Sequence, residues 1–228
     1  YQDYTFGYSV RENVVKGIEE NGGNVIQETA QPLGGNQFGG VIQEIIEMDP
    51  DWVSMNMLGS GGVPFYTQAA QRGLDITCNG APSASEMGKL TSEQLDRLPT
   101  IYSPYFDWLP QLDDEGSQKF KRDFEDVHGK PPVPDNLFGY GPALFLTQAL
   151  HEAGGSGSTT DDVIEAAEGL TMVTPRGEQT IRACDHQAIS PIYVAEIVSV
   201  EGEGDAEQEI VEKIEPEPYQ ESCEEIAC

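Results

Sequence analysis

Apolar positions in the first hundred residues fall into short blocks whose spacing switches between helical and extended periods. Gly7 through Glu20 carries Val14, Val15 and Ile18 at helical spacing and runs into Asn21-Gly22-Gly23, where glycine supplies the left-handed residue that closes a helix. Asn24 to Glu28 reads as a short strand. A Gly- and Pro-rich stretch, Gln31 to Asn36, leads to a helix from Phe38 to Met48 with Val41, Ile42, Ile45 and Ile46 apolar. Asp49-Pro50 stops it, because the residue before proline is pushed out of the helical region. Trp52 to Met57 reads as a buried strand. The loop Leu58 to Gly62 then opens onto a helix from Pro64 to Arg72, with proline in the first turn where its missing N–H costs nothing. Leu74 to Cys78 is a further strand.

Past Leu98 the pattern changes. Ile101 to Phe106 is an aromatic strand, and longer helices follow: Glu115 to His128 with Phe120, Phe124 and Val127 on one face, and Asp135 to Ala153, where Gly139, Gly141 and Pro142 predict a kink or a late start. Thr160-Asp161-Asp162 caps a third helix to Gly169. Glu178 to Ala183 and Ile192 to Val200 read as strands, and Ile210-Val211 as a short one. Alternating strands and helices require crossover connections, a parallel sheet and helices on both faces, which is the α/β class. Ligands of such sheets sit at the carboxyl ends of the strands, which directs attention to the loops Leu58–Gly62 and Asn79–Ser85.

Composition adds the sign of the charge. The 228 residues hold 40 Asp and Glu against 12 Lys and Arg, a net charge of −28. Glu201 to Cys228 contributes 11 acids and one base, which leaves −18 on the first 200 residues, so the body is acidic too. Such a surface repels nucleic acid and anionic membrane, and at low salt it strains a compact state. In molar salt the screening length falls to about 3 Å and the strain is relieved, which points to a salt-loving source. No run of 18 apolar residues is present to form a membrane-spanning helix, and neither a basic segment nor an apolar signal core precedes Tyr1, so the chain reads as trimmed. Cys78, Cys184, Cys223 and Cys228 form no Cys-x-x-Cys pattern; a Cys223–Cys228 bridge, a bridge from the tail to Cys184, and four free thiols are all open.

Candidate chemistry is sparse. Cys184-Asp185-His186 invites a thiol nucleophile, but neighbours on a strand face opposite ways. His128 and His151 sit near helix C-termini, where the dipole favours a cation. The acid runs Asp113-Asp114-Glu115 and Asp161-Asp162 read as helix N-terminal charges and not as metal ligands, and no cofactor is implied. Leu58-Gly59-Ser60-Gly61-Gly62 exposes backbone N–H groups before a helix, yet it lacks the lysine of a nucleotide loop, so its donors suit the carboxylate or amide oxygen of a small solute. Tyr4, Phe6, Tyr102, Tyr105, Phe106 and Trp108 lie at segment ends, placed either to wall a cleft or to pack the core.

One ordered series carries a resemblance. Asp3-Tyr4-Thr5-Phe6-Gly7-Tyr8-Ser9 with a helix and Gly22-Gly23-Asn24-Val25, then Pro32-Leu33-Gly34 and Phe38, then Asp51-Trp52-Val53 and Gln68 to Leu74, resembles the second lobe of type I periplasmic solute-binding proteins of branched-chain amino acid and amide/urea ABC uptake systems. Tyr102 to Phe106, Phe120 to His128, Tyr140 to Gly154 and Thr174-Pro175-Arg176-Gly177 leading to Asp185-His186-Gln187 extend the likeness to about residue 198. The resemblance implies Rossmann-like parallel sheets flanked by helices with the first lobe incomplete: 1–100 as the second ligand-binding lobe, 101–175 as a return segment of the first, 176–200 as hinge-proximal strands and 201–228 as an acidic tail. It further implies a monomeric, exported and lipid-anchored receptor, not an enzyme, that closes on a small polar organic solute and hands it to the permease subunits of an ABC importer. A ligand-sensing regulatory domain is the alternative role for such a fold, and an enzyme acting on small amides a weaker one.

By the same resemblance the solute contacts are Phe6, the loop Leu58, Gly59 and Ser60, the loop Asn79, Gly80 and Ala81, and the aromatic crossover at Tyr105 and Phe106. Amino-acid binders place an acid after the next strand to pair with the ammonium, whereas Asn79-Gly80-Ala81-Pro82-Ser83 holds none before Glu86. A buried ammonium without a counter-charge is costly, which leans the reading toward amide, urea or carboxylate-only solutes. The charge arithmetic makes its own prediction: the unfolding midpoint rises between 0.1 M and 3 M KCl by more than for a protein of balanced charge, and an equal or lower midpoint at high salt removes the halophilic reading.

Overall fold

The computed structural model describes residues 1–57, 62–80, 87, 90–105, 109–199, 206–217, 219–224 and 226, with the backbone alone for Tyr105 and Ser199. Two compact units divide the chain: Tyr1–Pro104 with Val194–Val211, and Tyr105–Tyr193 with Glu212–Cys228. Among the described residues the helices are α1 (Thr5–Glu20), α2 (Gly39–Met48), α3 (Gly62–Arg72), the short α4 (Ser92–Leu95), α5 (Glu115–His128), α6 (Leu137–Glu152) and α7 (Thr160–Ala167). The strands are β1 (Val53–Ser54), β2 (Cys78–Asn79), β3 (Ile101–Tyr105), β4 (Thr171–Thr174), β5 (Gly177–Ile181), β6 (Ala188–Ile189), β7 (Ile192–Ser199) and β8 (Ala206–Ile214). None of these helices is long and apolar enough to cross a membrane.

The first unit is α/β, as expected. Its sheet runs β1-β2-β3-β7-β8, with β1 parallel to β2 and β2 parallel to β3. The apolar stripe of α2 (Ile42, Ile45) and that of α3 (Phe65, Tyr66, Ala69) pack with Met55, Cys78 and Ile101 into one core. Phe65 stands edge-on to both Phe38 and Tyr66, at 5.7 and 5.4 Å between ring centres. Each such ring or aliphatic side chain contributes about 1.5–3 kcal/mol by leaving water. By contrast α1 buries only Gly7, and its Val14, Val15 and Ile18 stay half-exposed.

Several expectations shift. Asn24 to Glu28 forms no strand, because a strand exists only where a neighbour completes its hydrogen bonds, and the described chain supplies none along those residues. The strands expected at Trp52–Met57 and Leu74–Cys78 reduce to β1 and β2. Beyond Ile210-Val211, the acidic segment makes a nine-residue strand, β8, whose inward positions include Ala206 and Gln208 while Glu207 and Glu209 face water.

In the second unit Asp114 caps α5 by accepting the Ser117 N–H at 3.0 Å, and Thr159 and Asp162 form a reciprocal capping box on α7, so the acid runs do sit at helix N-termini. His128 and His151 lie in the last turns of α5 and α6. α6 starts at Leu137, after a 3-10 turn at Pro134–Asn136, and carries Pro142 within it; its outer face shows Phe138 and Leu146 to solvent. β4, which the sequence reading missed, pairs antiparallel with β5, and β5 with β6.

The turn between β5 and β6 is locked to the C-terminal segment. Cys184 and Cys223 form a disulfide across 39 residues, which settles one of the pairings left open. Arg182 forks onto the Asp185 carboxylate and donates a further bond to the Glu221 carbonyl at 2.7 Å. That guanidinium, with help from the Gln187 N–H, lowers the Asp185 pKa from 3.8 to about 2. A carboxylate depressed on folding stabilises the fold above its unfolded value and loses that contribution as pH falls through its folded one. Asp185→Asn should therefore lower the thermal midpoint at pH 5, and the gap from the parent should close as pH falls from 3.8 toward 2; a gap independent of pH contradicts the pairing.

Candidate functional site

Because β1, β2 and β3 run parallel, their carboxyl ends lie on one edge, and backbone bonds tie that edge to the start of α1. Gln2 N–H donates to the Asn56 carbonyl at 3.3 Å, Met55 N–H to the Asn79 carbonyl at 2.9 Å, and Gly80 N–H to the Tyr102 carbonyl at 3.2 Å. The Ser103 hydroxyl adds a bond to the Gly80 carbonyl, and Asn56 Nδ2 donates to Ser54 Oγ at 2.9 Å.

Two glycines are needed for this closeness. A Cβ on Gly7 would lie 1.9 Å from the Gln2 carbonyl oxygen, so only glycine lets α1 turn back on the residues before it. A Cβ on Gly80 would lie 2.2 Å from the hydroxyl of the fully buried Tyr66 and 2.9 Å from Met55 Cε. Tyr66 thus packs directly against Gly80 at the end of β2.

Of the residues singled out in the sequence, the structure brings Phe6, Asn79 and Gly80 to this edge. Phe6 lies in the first turn of α1, 42% exposed, its ring 6.0 Å from that of Tyr4. Tyr4 is the N-cap and makes no side-chain cap bond, which leaves the first N–H groups of α1 without a side-chain acceptor from the cap. Asn79 Oδ1 is buried and accepts no hydrogen bond among the described residues. Leaving such an acceptor unmet costs about 1–3 kcal/mol, so a donor arriving there would be gained at full value. Leu58, Gly59, Ser60, Ala81 and Phe106 lie outside the described residues, as do Glu86 and the side chain of Tyr105. Sequence reasoning missed Asn56, Tyr66 and Ser103. Tyr66 is hidden inside an ordinary apolar stripe, and Ser103 among aromatics.

The cysteine-histidine constellation dissolves. Residues 182–187 form a turn and not the strand assumed, and Cys184 is spent in the disulfide. Asp185 is held by Arg182, and His186 Nε2 lies 2.9 Å from Glu168 Oε1 on the surface. Cys78 is buried in the core, which pushes its thiol up to about 12 and keeps it protonated, so it offers no thiolate.

The family described as periplasmic binding protein matches residues 1–204. The Leu/Ile/Val-binding protein homolog 4 of Brucella melitensis is 25% identical over 209 residues, covering 86% of this chain and 47% of the relative, so the chain spans about half the length of the curated relatives it matches. Among solved structures, the leucine-, isoleucine-, valine-, threonine- and alanine-binding protein of Brucella ovis in its closed conformation shares the fold at a TM-score of 0.78 and 21% identity, over 99% of this chain and 59% of that one. A solute-binding protein of an ABC transporter from Rhodopseudomonas palustris HaA2, solved with p-hydroxybenzoic acid, gives 0.78 and 20% over 94% and 58%.

The Tyr66 contact can be tested directly. Gly80→Ala should cost about 1–3 kcal/mol of stability by overpacking, and adding Tyr66→Phe should return part of that loss, as read from urea midpoints; additive losses would show that the hydroxyl does not crowd position 80.

Proposed function

We propose, from the premise that this chain belongs to the periplasmic binding protein family, that it forms part of the solute-capturing subunit of an ABC importer. The first unit serves as the second ligand-binding lobe and the second unit as the return segment of its partner lobe. Closure of the lobes encloses a small polar organic solute and presents it to a membrane permease at the outer face of the cell, with the protein lipid-anchored there. The step is binding by hinge closure, with no bond made or broken.

The observation that carries this reading is the buried Asn79 Oδ1 at the carboxyl end of β2, which has no partner among the described residues, together with the start of α1, which lacks a side-chain cap and carries the exposed ring of Phe6. An acceptor and a helix N-terminus together suit a solute with an N–H donor at one end and a carboxylate or amide oxygen at the other. Branched-chain amino acids and short amides both have that form. The Brucella relatives, described as binding leucine, isoleucine and valine, support the first. The Rhodopseudomonas protein solved with an aromatic acid supports a carboxylate as the common handle.

Calorimetric titration of the full gene product in molar KCl should show binding of leucine, valine or a short amide. Phe6→Ala should weaken that binding by about 1–3 kcal/mol through loss of the ring's apolar contact. Unchanged affinity removes Phe6 from the site, and failure of amino acids, amides and aromatic acids alike contradicts the proposed role.

A further inference from the structure

Within the second unit, the segment that follows β8 lacks the usual means of staying in place. From Glu215 to Ile226 it carries five acids and no base, on a protein whose net charge is already −28. None of its described residues is buried, and Tyr219 is 78% exposed. Its own backbone bonds are local turns: Tyr219 and Gln220 N–H donate to the Pro216 carbonyl at 2.9 and 3.1 Å, and Ile226 N–H to the Ser222 carbonyl at 3.3 Å. Gln220 Nε2 is shielded from water and donates to nothing among the described residues, which counts against the folded position. A stretch this acidic that buries so little apolar surface does not order itself.

The turn 182–187 between β5 and β6 is what holds it. Arg182 donates to the Glu221 carbonyl at 2.7 Å, and two residues further on Cys223 is bonded to Cys184. Arg182 is at the same time forked onto the Asp185 carboxylate, and a bond from such a shared cation at the surface is weak. The covalent bond is therefore the tie on which the placement of the segment depends.

The two ends of that tie differ. Cys223 is exposed, whereas Cys184 is half-buried in a turn that is braced by its own bonds. Arg182 N–H donates to the Gln187 carbonyl at 2.9 Å, His186 N–H to the Arg182 carbonyl at 2.8 Å, and His186 Nε2 lies 2.9 Å from Glu168 Oε1. Without the disulfide the turn keeps these bonds, while the segment keeps only its local turns and the contact with Arg182.

We propose that the Cys184–Cys223 bond is a thiol-exchange site opened by a dithiol, and that its opening releases residues 215–226 from the turn while the rest of the unit stays folded. One thiolate of the dithiol attacks the exposed Cys223 sulfur, the S–S bond breaks, and Cys184 leaves as a thiolate that takes a proton from water. The second thiolate of the dithiol then attacks the dithiol's own sulfur in the mixed disulfide, and Cys223 leaves in turn. Two electrons pass to the cysteine pair, and the dithiol is left as a disulfide. Residues 215–217 line a cavity of about 230 Å³ together with Arg176, Glu178 and Thr180, so their departure opens it.

The full gene product in molar KCl tests this in two steps. Brief treatment with glutathione, quenched by alkylation and read by peptide mass mapping, should place glutathione on Cys223 and the alkyl group on Cys184. Complete reduction by dithiothreitol should speed cleavage by a Glu-specific protease after Glu221 and Glu224 by about tenfold or more, with amide exchange in α5 and α6 unchanged. Cys223→Ser should be cleaved at the faster rate without reductant. Glutathione on Cys184 or on neither cysteine overturns the assignment, as does cleavage that is no faster after complete reduction. Loss of protection in α5 and α6 makes the bond a staple of the whole unit and overturns it too, and so does a map of the untreated protein that joins Cys223 to Cys228.

Discussion

Parallel pairing of very short strands is the constraint on which the first unit depends. β1 and β2 are two residues each, far too short to persist alone, and they exist because the backbone on either side continues the ladder through Val53, Met55, Cys78 and Gly80. Parallel direction puts all their carboxyl ends on one edge, and βα crossovers then deliver the N-termini of the following helices to the same edge. Gln2, just before α1, bonds to Asn56 there, and Met55 to Asn79, although the chain between them is long. The cost of close approach falls on Gly7 and Gly80, where a single added carbon would collide with a carbonyl or with Tyr66.

The sequence made the α/β class and most helices legible, because α1, α2 and α5 carry apolar residues at a clear helical period and end in recognisable caps. Strand extents were less so. Asn24–Glu28 has the residues of a strand, but pairing is a property of the neighbour and not of the segment, so pattern alone could not tell that no described segment pairs with it. β8 was legible only as a short strand at Ile210-Val211, for a different reason: glutamate and glutamine dominate it, and Gln208 takes an inward position where a hydrophobic residue is the usual signal. The disulfide was one of several pairings that spacing allowed, and only the fold brings Cys223 back to the β5–β6 turn.

The candidate site was half legible. Phe6 falls in the first turn of α1 and Asn79 and Gly80 at the end of β2, positions that the order of elements alone fixes. Asn56, Tyr66 and Ser103 were not visible, because each acts through a backbone contact across the sheet or behind it, and no local pattern reports such a contact. The cysteine-histidine cluster shows the converse: adjacency in sequence suggested chemistry, and the fold spends those same groups on holding a turn.

The central claim is that the carboxyl edge of β1, β2 and β3 faces the solute. Amide exchange of the full gene product, with and without saturating leucine in molar KCl, tests it most directly. The account predicts slowed exchange confined to residues 2–7, 54–57, 78–80 and 101–104. Slowing that spares those four stretches and falls elsewhere on the chain would contradict it.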